Sequence, residues 1–148
     1  MTPDFMFSVL STGILVFWLF LFVLPNWRGT QLLVHSVAAP IGLGVAYAWF
    51  LTAGLGTEGG SFSSLEGVQA FFANPNAALA GWIHYLVFDL FIGAWEVRDA
   101  RRRGISHIFV IPCLFFTLMA GPIGLLAYLM VRLAAGRGGW ELEEDRVD

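Results

Sequence analysis

Four nearly continuous apolar runs, at about residues 5–24, 31–53, 75–97 and 105–132, dominate this chain of 148 residues. Each is close to the roughly 20 residues that a helix needs to cross the hydrocarbon core of a bilayer. In lipid, backbone polar groups must be satisfied within their own segment, so such runs fold as helices. The chain is 57% hydrophobic and 13% charged, against about 25% charged residues in a soluble domain. The expected class is all-α: an integral membrane four-helix bundle with short loops.

The boundaries have local causes. Pro25-Asn26-Trp27-Arg28-Gly29 stops the first run, and Gly54, Gly56, Gly59 and Gly60 stop the second. Asn74 before Pro75 is an N-cap with proline at the first helical position. Between runs two and three, Leu65, Val68, Phe71 and Phe72 form an apolar stripe that predicts a short interfacial helix over 63–73. Gly121-Pro122 predicts a kink in the fourth helix. That kink either sets shape alone or frees carbonyls that hold a polar ligand. The acidic tail 136–148 reads as solvated. The first run follows no positively charged segment and reads as a retained helix rather than a signal peptide.

Charge placement predicts orientation. All eight basic residues are arginine. With alternating spans, loops one and three hold Arg28, Arg98, Arg101, Arg102 and Arg103, and the other side holds Arg132, Arg137 and Arg146. The positive-inside rule then puts both loops in the cytoplasm and both termini outside it, in a bacterial inner membrane. Ala38, Gly42 and Ala46 predict close helix approach in span two and permit a homo-oligomer. Cys113, Thr117, Gly121, Gly124 and Tyr128 predict the buried face of span four.

Asp89 stands inside the third run, with His84 five residues before it. A carboxylate at bilayer depth costs at least ~2.5–3.5 kcal/mol on insertion scales, so it faces protein or water and is a functional candidate. The bland alternative is a hydrogen bond that locks packing. Five residues rotate His84 about 140° from Asp89 on a helix, so the two point to different neighbours. Trp82, Tyr85, Gly93 and Glu96 share the face of Asp89. Glu96, Arg98 and Asp99 read as a solvated cluster at the helix end, with Asp99 and Arg103 spaced to pair. His35 enters span two from the arginine side, within reach of Asp89 in depth but not of His84, so a bis-histidine haem is not expected. Metal-ligand spacings, nucleotide loops and serine-hydrolase motifs are missing, so neither metal nor cofactor is expected. Cys113 is the single cysteine and has no internal partner. No basic stripe suits nucleic acid.

The run from Gly81-Trp82-Ile83-His84-Tyr85 through Asp89-Leu90-Phe91 to Arg98-Asp99-Ala100, with Pro112-Cys113 and Gly121-Pro122-Ile123-Gly124, resembles the ABA4-like family of small membrane proteins. Phe62-Ser63-Ser64-Leu65-Glu66-Gly67-Val68 is similar to its bacterial branch. The resemblance implies isoprenoid or carotenoid modification, such as the opening of a carotenoid 5,6-epoxide to an allenic alcohol. It matches His84 and Asp89-Leu90-Phe91 to the family's third-helix motif. Asp99 matches its trailing aspartate, and Pro122 with Gly124 its fourth-helix turn. Epoxide-to-allene isomerisation needs an acid and a base and no redox cofactor, which makes Asp89 and His84 the candidate catalytic pair. Trp82, Tyr85, Phe91, Thr117, Gly121 and Pro122 are the candidate substrate contacts. Expected partners are membrane lipid and a hydrophobic isoprenoid or carotenoid. Two other functions fit the same residues: a non-catalytic carotenoid- or lipid-binding protein, and a small proton-coupled transporter with Asp89 as relay.

Overall fold

A computed structural model describes residues 2–137 and Leu142, and every regular element among them is helical. The longest, Pro75–Arg102, is the axis on which the others pack; numbered in chain order it is α5. Its start is where the sequence puts it: the Asn74 side chain accepts from the N–H groups of Asn76 and Ala77 at 2.9 and 3.5 Å, and proline opens the first turn. At ~1.5 Å per residue α5 is about 42 Å long, more than the ~30 Å hydrocarbon core.

Before it come α1 (Pro3–Val23), α2 (Arg28–Leu33), α3 (Ala38–Gly54) and α4 (Leu65–Phe72). Three stretches are long and apolar enough to cross a membrane: α1, the combined Arg28–Gly54 stretch, and α5. Helix α1 runs parallel to α5, because Ser11 meets Trp82 in a 2.9 Å hydrogen bond while Trp18 packs on Gly93 further along. Helix α3 runs antiparallel to it, with His35 beside Arg98, Tyr47 beside His84, and Gly54 against Ala77. The expected second span is interrupted at residues 34–37. There the Ser36 hydroxyl donates to the Leu32 carbonyl and accepts from the Ala38 N–H, at 2.5 and 3.1 Å. The face that α3 turns inward is Ala39, Leu43 and Phe50, while Ala38 and Gly42 are exposed. Of the small-residue stripe, Ala46 is half-buried and packs on the core, while Ala38 and Gly42 point outward.

The remaining helices, α6 (His107–Ala120) and α7 (Pro122–Ala134), depart most from expectation. They do not make one kinked span over 105–132. Gly121 takes φ +37° and ψ −91°, and the chain reverses there. Gly124 lies directly on the Thr117 backbone, seven residues back, where a continuous helix would separate them by roughly 10 Å. Contacts on α5 follow in order from the turn outward. Gly121 touches Asp89; the Tyr128 ring stands on Trp95 at 5.5 Å; Tyr128 and Arg132 reach Asp99; and Arg103 donates to the Arg137 carbonyl at 3.0 Å. The two helices form a re-entrant hairpin that descends beside α5 to its middle and returns. Neither arm, at 14 and 13 residues, spans the ~30 Å core. The physical reason is the glycine-proline pair: the dihedrals of Gly121 suit a residue without a Cβ, and Pro122 starts a new helix more readily than it continues one.

The end of α7 lies beside the end of α5, whereas the start of α1 is at the other end of α5, so the two described termini lie at opposite ends of the helix assembly. Arg28, Arg98, Arg101, Arg102, Arg103, Arg132 and Arg137 collect at one end, and Asp4, Glu58 and Glu66 lie at the other. A topology reporter fused after residue 137 is expected on the same side as one inserted at Gly104, and opposite to an N-terminal fusion. Reporters at 104 and 137 on opposite sides would mean that α6 and α7 span the membrane as one unit.

Candidate functional site

The tip of the hairpin stops at mid-depth on α5, so the outer half of that face is covered differently from the inner half. Here the spacing of Trp82, Tyr85 and Asp89 puts three side chains on one face. Trp82 stacks on Tyr85 with ring centroids 5.2 Å apart and donates its indole N–H to Ser11. Tyr85 donates its hydroxyl proton to the Leu118 carbonyl at 2.8 Å. That bond caps the last turn of α6, whose carbonyls have no helical partner. The Tyr85 hydroxyl also lies beside the carboxyl of Asp89.

Asp89 is 9% exposed and rests against Gly121, at the point where α6 ends and α7 begins. Its Oδ2 has no hydrogen-bond partner among the described residues. A non-helical reversal at membrane depth is tolerated only where protein or a cavity takes up its polar groups. Tyr85 does that from α5 at the carbonyl end of α6, while the Asp89 carboxyl lies against Gly121 where α7 begins.

Beneath the tip, the hairpin seals two further acids against α5. Glu96, two turns below Asp89, is fully buried; its Oε1 lies 2.9 Å from the Thr117 hydroxyl, and its Oε2 has no partner among the described residues. The same hydroxyl lies 3.0 Å from the Cys113 carbonyl. Asp99, 1% exposed, accepts from Tyr128 at 2.6 Å and from Arg103 Nε at 2.8 and 3.0 Å, with an Arg132 guanidinium nitrogen 3.8 Å away. The Asp99–Arg103 spacing thus does form a pair. The expectation that Glu96 and Asp99 belong to a solvated cluster is overturned, because α6 and α7 fold back over them. Their period with Asp89 on one helix face was the available signal.

The sequence candidates therefore separate into groups. Asp89, Trp82, Tyr85, Gly121 and Pro122 come together at the tip, and Thr117 sits one turn below, on Glu96. His84 lies on another face, exposed between Tyr47 and Phe88 at 5.9 and 4.5 Å. There it helps line a cavity of about 240 Å³ with Phe62, Phe71 and Phe72. Phe91 lines a separate cleft between α3 and α5. His35 bonds Arg98 at 3.1 Å rather than approaching Asp89, and His107 Nε2 meets the Phe22 carbonyl at 3.0 Å.

A family profile described as ABA4-like, "ABA DEFICIENT 4-like", matches residues 5–128, which include every tip residue. The chain is 28% identical over 135 residues to Protein ABA DEFICIENT 4, chloroplastic, of Arabidopsis thaliana, an alignment that covers 85% of this chain and 60% of that protein. It thus spans about three fifths of the length of the curated relative it matches. No solved structure matches the chain.

Proposed function

This chain belongs to the ABA4-like family, and from that premise we propose that it modifies a carotenoid or related isoprenoid inside the membrane. The proposed reaction is opening of an allylic epoxide to an allenic alcohol, with Asp89 as the proton-transferring group. The observation that carries the proposal is a nearly buried carboxyl at mid-depth with one oxygen unpartnered among the described residues. It stands at the foot of the Trp82–Tyr85 aromatic wall. A long flat isoprenoid reaches such a face laterally from lipid, and its polar end ring then lies over Asp89.

The chemistry closes on one carboxyl group. Asp89, protonated, gives its proton to the epoxide oxygen as the carbon–oxygen bond breaks, forming the alcohol. The resulting carboxylate takes the neighbouring vinylic proton, and that C–H electron pair becomes the second double bond of the allene. Atoms and charge balance, and no oxidant or reductant enters. The Tyr85 hydroxyl, its proton on the Leu118 carbonyl, stands beside this carboxyl. His84, on another face of α5, is left out of this step and lines its own aromatic cavity. We propose further that the arginine-rich end faces the cytoplasm, by the positive-inside rule.

The test is expression in a host that accumulates epoxidised carotenoids, followed by pigment analysis. A new allenic isomer of unchanged mass is expected with the wild type. General acid–base groups contribute about 10²–10⁴-fold, so Asp89→Asn is expected to reduce the product by at least ~100-fold, and His84→Ala by little. Unchanged pigment that copurifies with the wild-type protein would instead make the chain a binder. Equal product from wild type and Asp89→Asn would remove Asp89 from the chemistry.

A further inference from the structure

On another face of α5 from the hairpin tip, α3, α4 and α5 enclose the cavity of about 240 Å³ that the proposed reaction does not use. That volume is below the ~300–1,000 Å³ of sites that enclose a whole small ligand, so the cavity takes one end of a molecule whose remainder lies in lipid. Three phenylalanines make its wall. Phe71 is buried, with ring centroids 5.0 Å from Phe62 and 5.4 Å from Phe72, and the latter two are exposed. Phe72 closes down on α5 because residue 81 is glycine: a Cβ there would come within 2.6 Å of the ring. Two polar rings complete the lining, Tyr47 and His84, with centroids 5.9 Å apart. Neither side chain makes a hydrogen bond to another described residue. His84 lies roughly 14 Å along α5 from Pro75, at hydrocarbon depth. An unmet donor is costly there, and two of them on one aromatic cavity call for a ligand that accepts hydrogen bonds.

We infer that this cavity binds the head ring of a membrane quinone, with Tyr47 and His84 donating to a ring carbonyl and the isoprenoid tail lying in lipid. A carbonyl oxygen has two lone pairs, so one atom takes both the Tyr47 O–H and a His84 N–H. A quinone ring is flat and electron-poor, and the faces of aromatic side chains are negative. It therefore stacks against this wall, where a saturated ring alcohol gains only contact. The molecule is neutral and apolar, so it enters laterally with its tail already in the bilayer. The inference does not rest on the reaction proposed at the tip, because Asp89 belongs to a different face of α5 and does not line this cavity.

The experiment is native mass spectrometry of the detergent-purified protein titrated with decylubiquinone. The comparison ligands are decylbenzene, which has the same chain and no carbonyl, and decylcyclohexanol, a saturated ring alcohol. The wild type is expected to bind one decylubiquinone about 25-fold more tightly than decylbenzene, the usual worth of two net hydrogen bonds. Tyr47→Phe and His84→Phe each keep a ring and remove one polar group. Each is expected to weaken quinone binding about fivefold and to leave decylbenzene binding unchanged. Asp89→Asn is expected to leave quinone binding unchanged, whatever it does to pigments; loss of binding there would put the quinone at the tip and overturn this site. Equal binding of decylbenzene would reduce the cavity to a groove that any chain fills, and tighter binding of decylcyclohexanol would make its occupant a ring alcohol; either overturns the assignment. Should the variants fail to fold, an azido-quinone on the wild type decides. Cross-links are expected at Tyr47, Phe62 and Phe72, and an even spread over the exposed helix faces refutes the site.

Discussion

Gly124→Ala is expected to prevent the α6–α7 hairpin from closing, with the largest stability loss of any single methyl group in this chain. A Cβ at residue 124 would overlap the backbone nitrogen and the hydroxyl of Thr117. Backbone cannot move aside as a flexible side chain can, so the arms must separate. Overpacking usually costs about 1–3 kcal/mol, and this contact lies at or above the upper end. Separation also withdraws Thr117 from Glu96, its described hydrogen-bond partner, and Tyr128 from Asp99. Thermal unfolding in detergent, read by circular dichroism and by retention of a monodisperse peak, checks this. Gly42→Ala, with nothing within 4 Å of the added carbon, is the control and should leave the melting temperature unchanged or slightly raised. Equal melting of Gly124→Ala and wild type would mean that the arms are not packed as described.

The second large effect is expected at Asp99. Three groups converge on its buried carboxylate: the Tyr128 hydroxyl, the Arg103 guanidinium and, at 3.8 Å, Arg132. Asp99→Ala removes the acceptor that Tyr128, Arg103 and Arg132 share under the hairpin. Breaking a buried ion pair from one side costs about 3–5 kcal/mol, so most of the purified variant should be unfolded or aggregated. Asp99→Asn keeps an acceptor for Tyr128 but loses the charge, and should fall between the two. The gradation distinguishes a charge-organised clasp from simple packing, for which asparagine would match wild type. Both variants should also expose residues 122–137 to protease from the arginine-rich side. That readout assigns the damage to α7 rather than to the α1–α3–α5 core.

How far the sequence could be read depended on whether the relevant partner was local. Helix starts were legible because their causes lie within four residues: Asn74 and Pro75 for α5, Ser64 for α4. The buried face of Cys113, Thr117, Gly124 and Tyr128 was legible because small and mildly polar residues at helical spacing seldom face lipid. The special position of Asp89 was legible from the cost of a carboxylate at that depth. The interruption at 34–37 was not, since Ser36 replaces lost backbone bonds with one side chain whose use depends on how α2 and α3 dock.

The apolar content of this chain determined by itself that it is helical, that four apolar runs approach the length of a span, and that Asp89 needs a protein or water neighbour. These follow from backbone hydrogen bonding and the cost of charge in hydrocarbon, which act residue by residue. Only the tertiary structure decided that the last apolar run doubles back. Hydropathy is a property of segments and is the same for a kinked span and for a hairpin of equal length. The choice rests on Gly124 fitting against Thr117, on Tyr85 capping α6 from another helix, and on Asp99 drawing Tyr128 and Arg132 to the arginine-rich end. Each of these joins residues from different segments, and together they turned an apparently solvated charge cluster into the buried floor beneath Asp89.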